Sequence, residues 1–423
     1  MNTNFTFIDL FSGIGGFHSS LTSHGGKCVG FSEIDKTAIN TYCENHNEPP
    51  SNNLGNIKKI KELPYHDLLT AGVPCQSWSI AGKKLGFGDE RGQLWNDTIY
   101  LLKHSQPKAF IFENVKGLAD PRNKNELSYI MNKIKQAGYY AEYHVLNSRD
   151  YGIPQNRIRV YIIGFKEQKY FEKFKMTNPN IKHQTLADIL NVSLPTSNEV
   201  TLNIKSQSLS STNGVNDYFS FNDLRNGKTT IHSWDILNTT SRDNHICLLL
   251  LKNRRKKIYG KLDGNPLSLQ DFKQLDKSIT HNELTNLIKL DILKIKVNDT
   301  DTLKIKYDFK NSKISTGLFG VNRIFLPSSN VYPTLVASDT NDYITTTQLK
   351  VTEDYKEQFI NNIYKPNNFR KITKEETCKI QGFPSDFILP ETRTKWMKLL
   401  GNSVSVPVID YIIEQIINTR VFI

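Results

Sequence analysis

Between residues 5 and 165 short apolar runs alternate with helix-like stretches: FTFIDLF then GFHSSLTSHG, KCVGFSEI then DKTAINTYCENH, followed by DLLTAGV, AFIFENV, EYHVLNS and RVYIIGF. Repetition of this kind leaves few architectures open. It predicts an α/β domain with a mostly parallel sheet and helices on both faces, and it puts ligands at the carboxyl ends of the strands. From about residue 190 Ser, Thr and Asn take over and the period is lost, so a second domain is expected. Within it LSLQDFKQL and HNELTNLIKLDIL read as helices, and LKIKVNDTDTLKIKYDF alternates as a hairpin would. Near the end, KITKEETCKIQGFP carries a helix that stops at Gly382 and Pro384. GNSVSVPVIDYIIEQIINTRV reads as a Gly-Asn turn and an amphipathic helix that packs back on the first domain.

Charge and cysteine usage narrow the function classes. Lys and Arg number 54 against 42 Asp and Glu, a net charge of +12, and KNRRKK at 252–257 concentrates it, which favours a polyanionic partner. Cysteines 28, 43, 75, 247 and 378 are odd in number and form no CxxC. That argues against a disulfide framework and structural zinc, and for reduced thiols. No run approaches the roughly 18 apolar residues of a membrane span, and MNTNFTFIDL lacks a signal peptide's basic start and apolar core. A cytoplasmic protein is expected.

Five motifs fall where ligands belong. GVPCQSWSIAGK puts Cys75 where the chain leaves a strand, a place open both to a buried thiol and to a nucleophile. FIDLFSGIGGF sets Gly13, Gly15 and Gly16 between strand and helix, suited to a nucleotide-type ligand or to tight strand-helix packing. FSEID then ends on Glu33, which suits ribose hydroxyls or a helix cap. FIFENVKG places Glu113 at another strand end, as a proton donor of raised pKa or a plain surface acid. In YGIPQNRIRVYIIGF, Arg157 and Arg159 point to the same side, toward a phosphate, carboxylate or base oxygen, or as an edge-strand charge pair.

Taken in order, DLFSGIGGF, FSEID, GVPCQSWS, FIFENV, QNRIR, QGFP and GNSV resemble the signature blocks of the DNA (cytosine-5) methyltransferases. The resemblance covers roughly residues 5–165 and 331–415 and leaves the middle unmatched. It implies a Rossmann-like S-adenosylmethionine-dependent methyltransferase fold with a smaller, irregular target-recognition domain. Residues 1–189 would be the catalytic, cofactor-binding domain, 190–370 the target-recognition domain, 371–400 a hinge, and 401–423 a helix completing the catalytic domain.

The implied reaction moves a methyl group from S-adenosylmethionine to C5 of a cytosine swung out of duplex DNA. Cys75 would attack C6, Glu113 would engage N3 and the exocyclic amine, Arg159 would hold O2, and Arg157 would lower the thiol's pKa. Gln155, Arg157 and Arg159 meet the family's QxRxR pattern in full. The resemblance implies a cofactor pocket of Phe11, Gly13, Gly15, Gly16, Glu33, Ile34, Asn56, Pro74, Asn402 and Val404. Asn56 stands where many relatives carry an acid for the adenine amino group, and an amide oxygen also accepts that bond.

For DNA, the expected contacts are Gln76, Ser79, Lys83, Lys84 and Arg91 in the glycine-rich segment after the nucleophile, which reads as a closing loop. Arg254 and Arg255 of the basic run and Thr334 of YPTLVASDTNDY complete the set. The partner would be double-stranded DNA, met by a monomer that needs no metal, and a restriction endonuclease would share the target site without having to bind this chain. A tRNA cytosine-5 methyltransferase and an inactive DNA-binding regulator are the other readings. The long middle segment favours DNA, and Cys75, Glu113 and Arg159 together favour an enzyme.

Overall fold

Phe5 and Phe7 join one buried cluster while Ile8 and Leu10 join another, because alternate side chains of a strand leave opposite faces. A strand that is apolar on both faces has to be covered on both. The computed structural model describes residues 4–74, 93–177, 179, 181–193, 218–221, 230–237, 239–262, 264–298, 301–310, 323–330, 332–340, 342–349 and 354–423. The chain divides into two units: Met1–Asn191 with Asn330–Thr340 and Ile372–Ile423, and Val192–Ser329 with Asn341–Lys371.

The first unit is an α/β layer structure. Its strands are β1 (Phe5–Leu10), β2 (Gly26–Ser32), β3 (Leu68–Gly72), β4 (Ala109–Val115), β5 (Tyr140–Asn147) and β7 (Ile158–Phe165), in the spatial order β2-β1-β3-β4-β7-β5. β1 pairs in parallel with β2 and β3, and β3 with β4; β7 runs antiparallel between β4 and β5. Helix α1 (Gly16–Ser23) and the C-terminal α13 (Val406–Asn418) cover one face through Phe17, Leu21, Ile409, Ile412 and Ile416. α3 (Leu94–Ser105) and α4 (Lys124–Gln136) cover the other through Trp95, Ile99, Leu102, Ile130 and Ile134. The remaining elements of this unit are α2 (Lys36–His46), the short β6 (Gln155–Asn156), α5 (Gln168–Lys173), α6 (Leu186–Leu190), β14 (Tyr332–Pro333), α11 (Lys374–Gln381) and α12 (Arg393–Asn402).

The unit boundaries differ from the expected ones in two places. Residues 330–340 and 372–400 belong to the first unit rather than to a recognition domain and a hinge. Pairing explains both: β14 adds to β6 in parallel, Arg393 Nε lies 2.8 Å from Asp339 Oδ2, and a Cβ on Gly401 would come within 2.5 Å of the Val336 carbonyl carbon. That close approach also explains why the Gly401–Asn402 pair, expected as a turn, ends helix α12 instead.

The second unit has its own core. Helices α7 (Ser241–Asn253), α8 (Leu269–Leu275) and α9 (His281–Lys289) pack with a sheet of order β10-β12-β11, formed by β10 (Leu267–Ser268), β11 (Leu293–Asn298) and β12 (Asp301–Phe309). A four-stranded sheet joins β8 (Tyr218–Phe221), β9 (Thr230–Ile231), β13 (Arg323–Phe325) and β15 (Asp342–Ile344), and α10 (Tyr355–Phe359) follows.

Arg254 departs from the expectation of a DNA contact. On α7 the buried series Cys247, Leu250 and Leu251 continues to Arg254 just beyond the helix end, so this side chain turns inward and is fully buried. Its Nη2 lies 3.1 Å from Asp308 Oδ1 and its guanidinium sits over the Phe309 ring. Arg255, the next residue, is exposed. Removing one partner of a buried pair costs about 3–5 kcal/mol, and the lower end applies here because Lys296 Nζ stays 3.2 Å from Asp308 Oδ2. Arg254→Met is therefore expected to lower this unit's unfolding free energy by about that amount in urea titration. Arg254→Met with Asp308→Leu should recover most of it, and an unchanged single-variant midpoint would contradict the buried pair.

Candidate active site

The backbone leaving β1 turns sharply: Phe11 has φ 53° and Gly13 φ 56°. A Cβ on Gly13 would meet nothing within 4 Å, which leaves open space at the sheet's carboxyl edge. Gly15 and Gly16 serve a different purpose, since a Cβ would come 2.1 Å from His46 Nε2 at Gly15 and 2.7 Å from Val404 Cγ2 at Gly16. Of the three glycines, one faces a cavity and two face protein.

That cavity, about 570 Å³, is walled by Phe11, Gly13, Glu33, Ile34, Asn56 and Pro74 from the first part of the chain and by Asn402 from the last. Val404 does not line it but packs behind, against Gly16. Glu33 Oε2 accepts from Gly13 N at 2.9 Å, and Oε1 accepts from Ile34 N at 2.7 Å and Asp35 N at 2.9 Å. A carboxylate has about four acceptor positions, so one is left for a ligand hydroxyl. Glu33 is no helix cap: Asp35 takes that role on α2, accepting from Thr37 N and Ala38 N. The Asn56 side-chain oxygen accepts from Lys58 N at 3.0 Å while the residue stays on the cavity wall.

Glu113, two residues before the end of β4, is buried and also lines the cavity. Arg159 Nε lies 3.1 Å from its Oε1. Burial raises the Glu113 pKa, and the charges of Arg159 and Arg157 only partly oppose this. The next residue, Asn114, donates from Nδ2 to the Val73 carbonyl at 3.0 Å, which fixes the backbone that runs into Pro74. Cys75, Gln76, Ser79, Lys83, Lys84 and Arg91 lie outside the described residues.

Arg157 reaches the cavity wall, but its guanidinium is committed to backbone. Nη1 donates to Leu335 O at 3.1 Å and to Gly401 O at 3.3 Å, and Nη2 donates to the carbonyls of Gly401 and Ser403. Gln155 donates to Ile380 O at 3.0 Å and to Gln381 Oε1 at 2.9 Å, and Gln381 donates to Ser403 O at 3.0 Å and Val404 O at 2.9 Å. Thr334 is tied in as well, its hydroxyl donating to Asn156 O at 2.6 Å.

An ion pair on the cavity wall was not anticipated. Lys398 and Asp35 both line the cavity, with Nζ 2.6 Å from Oδ2, and the Lys398 hydrogen bond is the main reason that the Asp35 carboxyl sits below its ordinary value. Asp35 was legible as a cap three residues ahead of Ala38; nothing in the sequence announces Lys398.

A family model described as C-5 cytosine-specific DNA methylase matches residues 5–418. The chain is 42% identical over 420 residues to the Type II methyltransferase M.HgiBI of Herpetosiphon aurantiacus, covering 96% of this chain and 95% of that one. It is 33% identical over 444 residues to the Type II methyltransferase M.BanI of Aneurinibacillus aneurinilyticus, covering 98% and 96%. Among solved structures, the Entamoeba histolytica methyltransferase EhMeth shares the fold at a TM-score of 0.54 and 17% identity, with 98% of each chain covered.

The Gln155 to Gln381 chain carries a stability consequence. Gln381→Leu keeps much of the volume but removes the bonds to the Ser403 and Val404 carbonyls and the acceptor for the Gln155 amide, and should cost about 1–3 kcal/mol. Chemical denaturation that showed no loss would mean that the network does not hold the 403–404 segment.

Proposed function

We propose, for a chain that belongs to the C-5 cytosine-specific DNA methylases, that the cavity holds S-adenosylmethionine and that Cys75, Glu113 and Arg159 act on the cytosine ring. Its activity is methylation of DNA cytosine at C5. The fit of the cofactor rests on this chain's own geometry. A cavity of about 570 Å³ suits a nucleoside-sized ligand; Gly13 leaves room for close approach, Glu33 keeps one acceptor for a ribose hydroxyl, and Ile34, 69% exposed, offers an apolar surface for a base. The Asn56 side-chain oxygen has a second lone pair for an adenine amino group. When bound, S-adenosylmethionine supplies an electrophilic methyl group.

C5 of cytosine is too weak a nucleophile to take that methyl group unaided. Addition of the Cys75 thiolate to C6 makes C5 an enamine carbon, which attacks the methyl. The C5 proton then leaves to water or hydroxide, the C6–S bond breaks, the thiolate returns, and N3 gives its proton back to Glu113. Glu113 favours the addition by donating its proton to N3, and the observation that carries this reading is its burial beside Arg159 at a strand end, with a pKa pushed up. A carboxyl whose pKa is raised is better matched to giving up a proton at this step than an ordinary one. Arg159, held by Glu113, faces the same cavity and suits O2. Arg157 acts on the site through its field and its anchoring of the cavity wall.

The organism's modification system is the setting we favour, because the relatives at 42% and 33% identity are both Type II methyltransferases. The enzyme would work as a monomer on double-stranded DNA in the cytoplasm. The described cysteines, 28, 43, 247 and 378, are all free, and no helix among the described residues is long and apolar enough to cross a membrane.

Glu33→Ala should weaken S-adenosylmethionine binding by about 1–3 kcal/mol, the range for losing hydrogen bonds to a charged group; unchanged affinity by calorimetry in a folded variant would remove Glu33 from the pocket. The decisive test uses duplex DNA carrying 5-fluorocytosine, whose C5 can accept a methyl group but cannot release fluorine as a cation. A denaturation-resistant adduct should form only with S-adenosylmethionine present, map to Cys75, and vanish in Cys75→Ser. Adduct at Cys28, Cys43, Cys247 or Cys378, or trapping that survives in the serine variant, would overturn the mechanism.

A further inference from the structure

The second unit carries an arrangement that the sequence pattern alone does not disclose. In chain order it runs helix α7, strand β10, helix α8, a five-residue turn, helix α9, and the hairpin β11–β12, with β10 pairing on β12 to close a three-stranded antiparallel sheet. One core serves all of it: Ile246 and Leu250 from α7, Phe272 from α8, Ile279 from the turn, Leu284 and Leu287 from α9, and Tyr307 and Phe309 from the hairpin. This is the order and packing of a helix-turn-helix followed by a β-hairpin wing, a module whose second helix enters the DNA major groove.

The turn is held firmly. Arg242 of α7 donates from Nε to Glu283 Oε1 at 2.7 Å, from Nη1 to Asp276 Oδ2 at 2.8 Å and from Nη2 to Ser278 Oγ at 2.8 Å. Thr280 and Glu283 form a capping box at the start of α9, with Thr280 N donating to Glu283 Oε2 at 2.7 Å. Both acids near the helix start are thus paired with Arg242 and would not repel a phosphate backbone. With Leu284 and Leu287 buried, the opposite side of α9 carries Asn282, Thr285, Asn286 and Lys289, spaced i, i+3, i+4 and i+7 along one stripe. Asn282, Asn286 and Lys289 are exposed.

We propose that α9 is the recognition helix of this enzyme, lying in the major groove with Asn282, Asn286 and Lys289 reading base edges and the lysines of the hairpin meeting phosphates. An asparagine amide matches the N6 and N7 edge of adenine, and a lysine ammonium the O6 and N7 edge of guanine. Lys294 and Lys306 stand on β11 and β12, Lys296 beside them already meets Asp308 at 3.2 Å, and Arg255, Lys256 and Lys257 stand exposed after α7, so the module carries positive charge suited to phosphates. The inference rests on the proposed action on DNA, and the two can fail separately.

The test is methylation of a random-sequence duplex library with S-adenosylmethionine, read by bisulfite sequencing. Wild type should return a consensus around the modified cytosine. Asn282→Ala, Asn286→Ala and Lys289→Ala should each relax that consensus at one or two positions, lowering discrimination there roughly tenfold or more. Lys135→Ala, on the exposed side of α4 in the other unit, should leave it unchanged. Asn286→Gln, which keeps the amide and moves it by one methylene, should also alter preference and covers the case of an alanine variant that fails to fold. If wild type yields a consensus and all the α9 variants return the same one at the same rate, the helix does not read DNA although the enzyme does methylate it. If wild type modifies no duplex, the action on DNA falls and the inference with it.

Discussion

Arg157 and Gln381 hold the first unit together at one point, the place where helix α12 ends. The last carbonyls of a helix have no partner within it and carry the negative end of its dipole. Here the Gly401 carbonyl, in the last turn, and the Ser403 carbonyl just beyond it receive the buried Arg157 guanidinium, and the Ser403 and Val404 carbonyls also receive the Gln381 amide. Gln381 is in turn held by Gln155. Three stretches far apart in the chain are fixed by these bonds, and the cavity depends on all of them: Asn402 reaches its wall because residues 401–404 are held, and Val404 backs the glycine turn after β1. A site assembled in this way tolerates little change at Arg157, because a lysine there could not reach several carbonyls in one plane.

Carboxyl groups at the same sheet edge are each stabilised differently. Glu33 accepts from three backbone N–H groups. Glu113 has an arginine partner but is so buried that its pKa still rises. Asp9, fully buried in β1, has only the Thr70 hydroxyl on one oxygen, and burial pushes it up to about 8, so near neutral pH it is chiefly the neutral acid. A second full negative charge behind Glu33 is thereby avoided. Environment, not residue type, decides which acid donates a proton and which accepts hydrogen bonds.

The sheet was legible, and so was the gathering of glycines and acids at its edge, because both follow from local pattern: period-two apolar runs, glycines at a strand end, an acid closing the next strand. Arg254 was misread for a reason equally local. KNRRKK looks like one solvated run, yet Arg254 is at i+7 from Cys247 and i+4 from Leu250, on the buried stripe of α7, and that spacing was available. Arg157 is harder. Its two-residue spacing from Arg159 correctly put both at the cavity, but nothing in a spacing tells a guanidinium that will meet a ligand from one that will meet three carbonyls of residues 335, 401 and 403. Lys398 belongs to the same class, placed by long-range packing with no local sign.

The second unit shows how far local pattern can go before topology is needed. Helical spacing and strand alternation identify α8, α9 and the hairpin one by one, but only the pairing of β10 with β12 turns them into a single module with a defined outer face. Its core, from Ile246 to Phe309, is made wholly from residues of that unit. The outward residues of α9 take no part in that core. Substitutions there can change which bases are met without unsettling either the helix-turn-helix or the sheet that carries Glu113. An enzyme whose chemistry must stay constant while its target varies needs this separation, and here it follows from packing: Leu284 and Leu287 hold α9 in place, and Asn282, Asn286 and Lys289 remain free to differ.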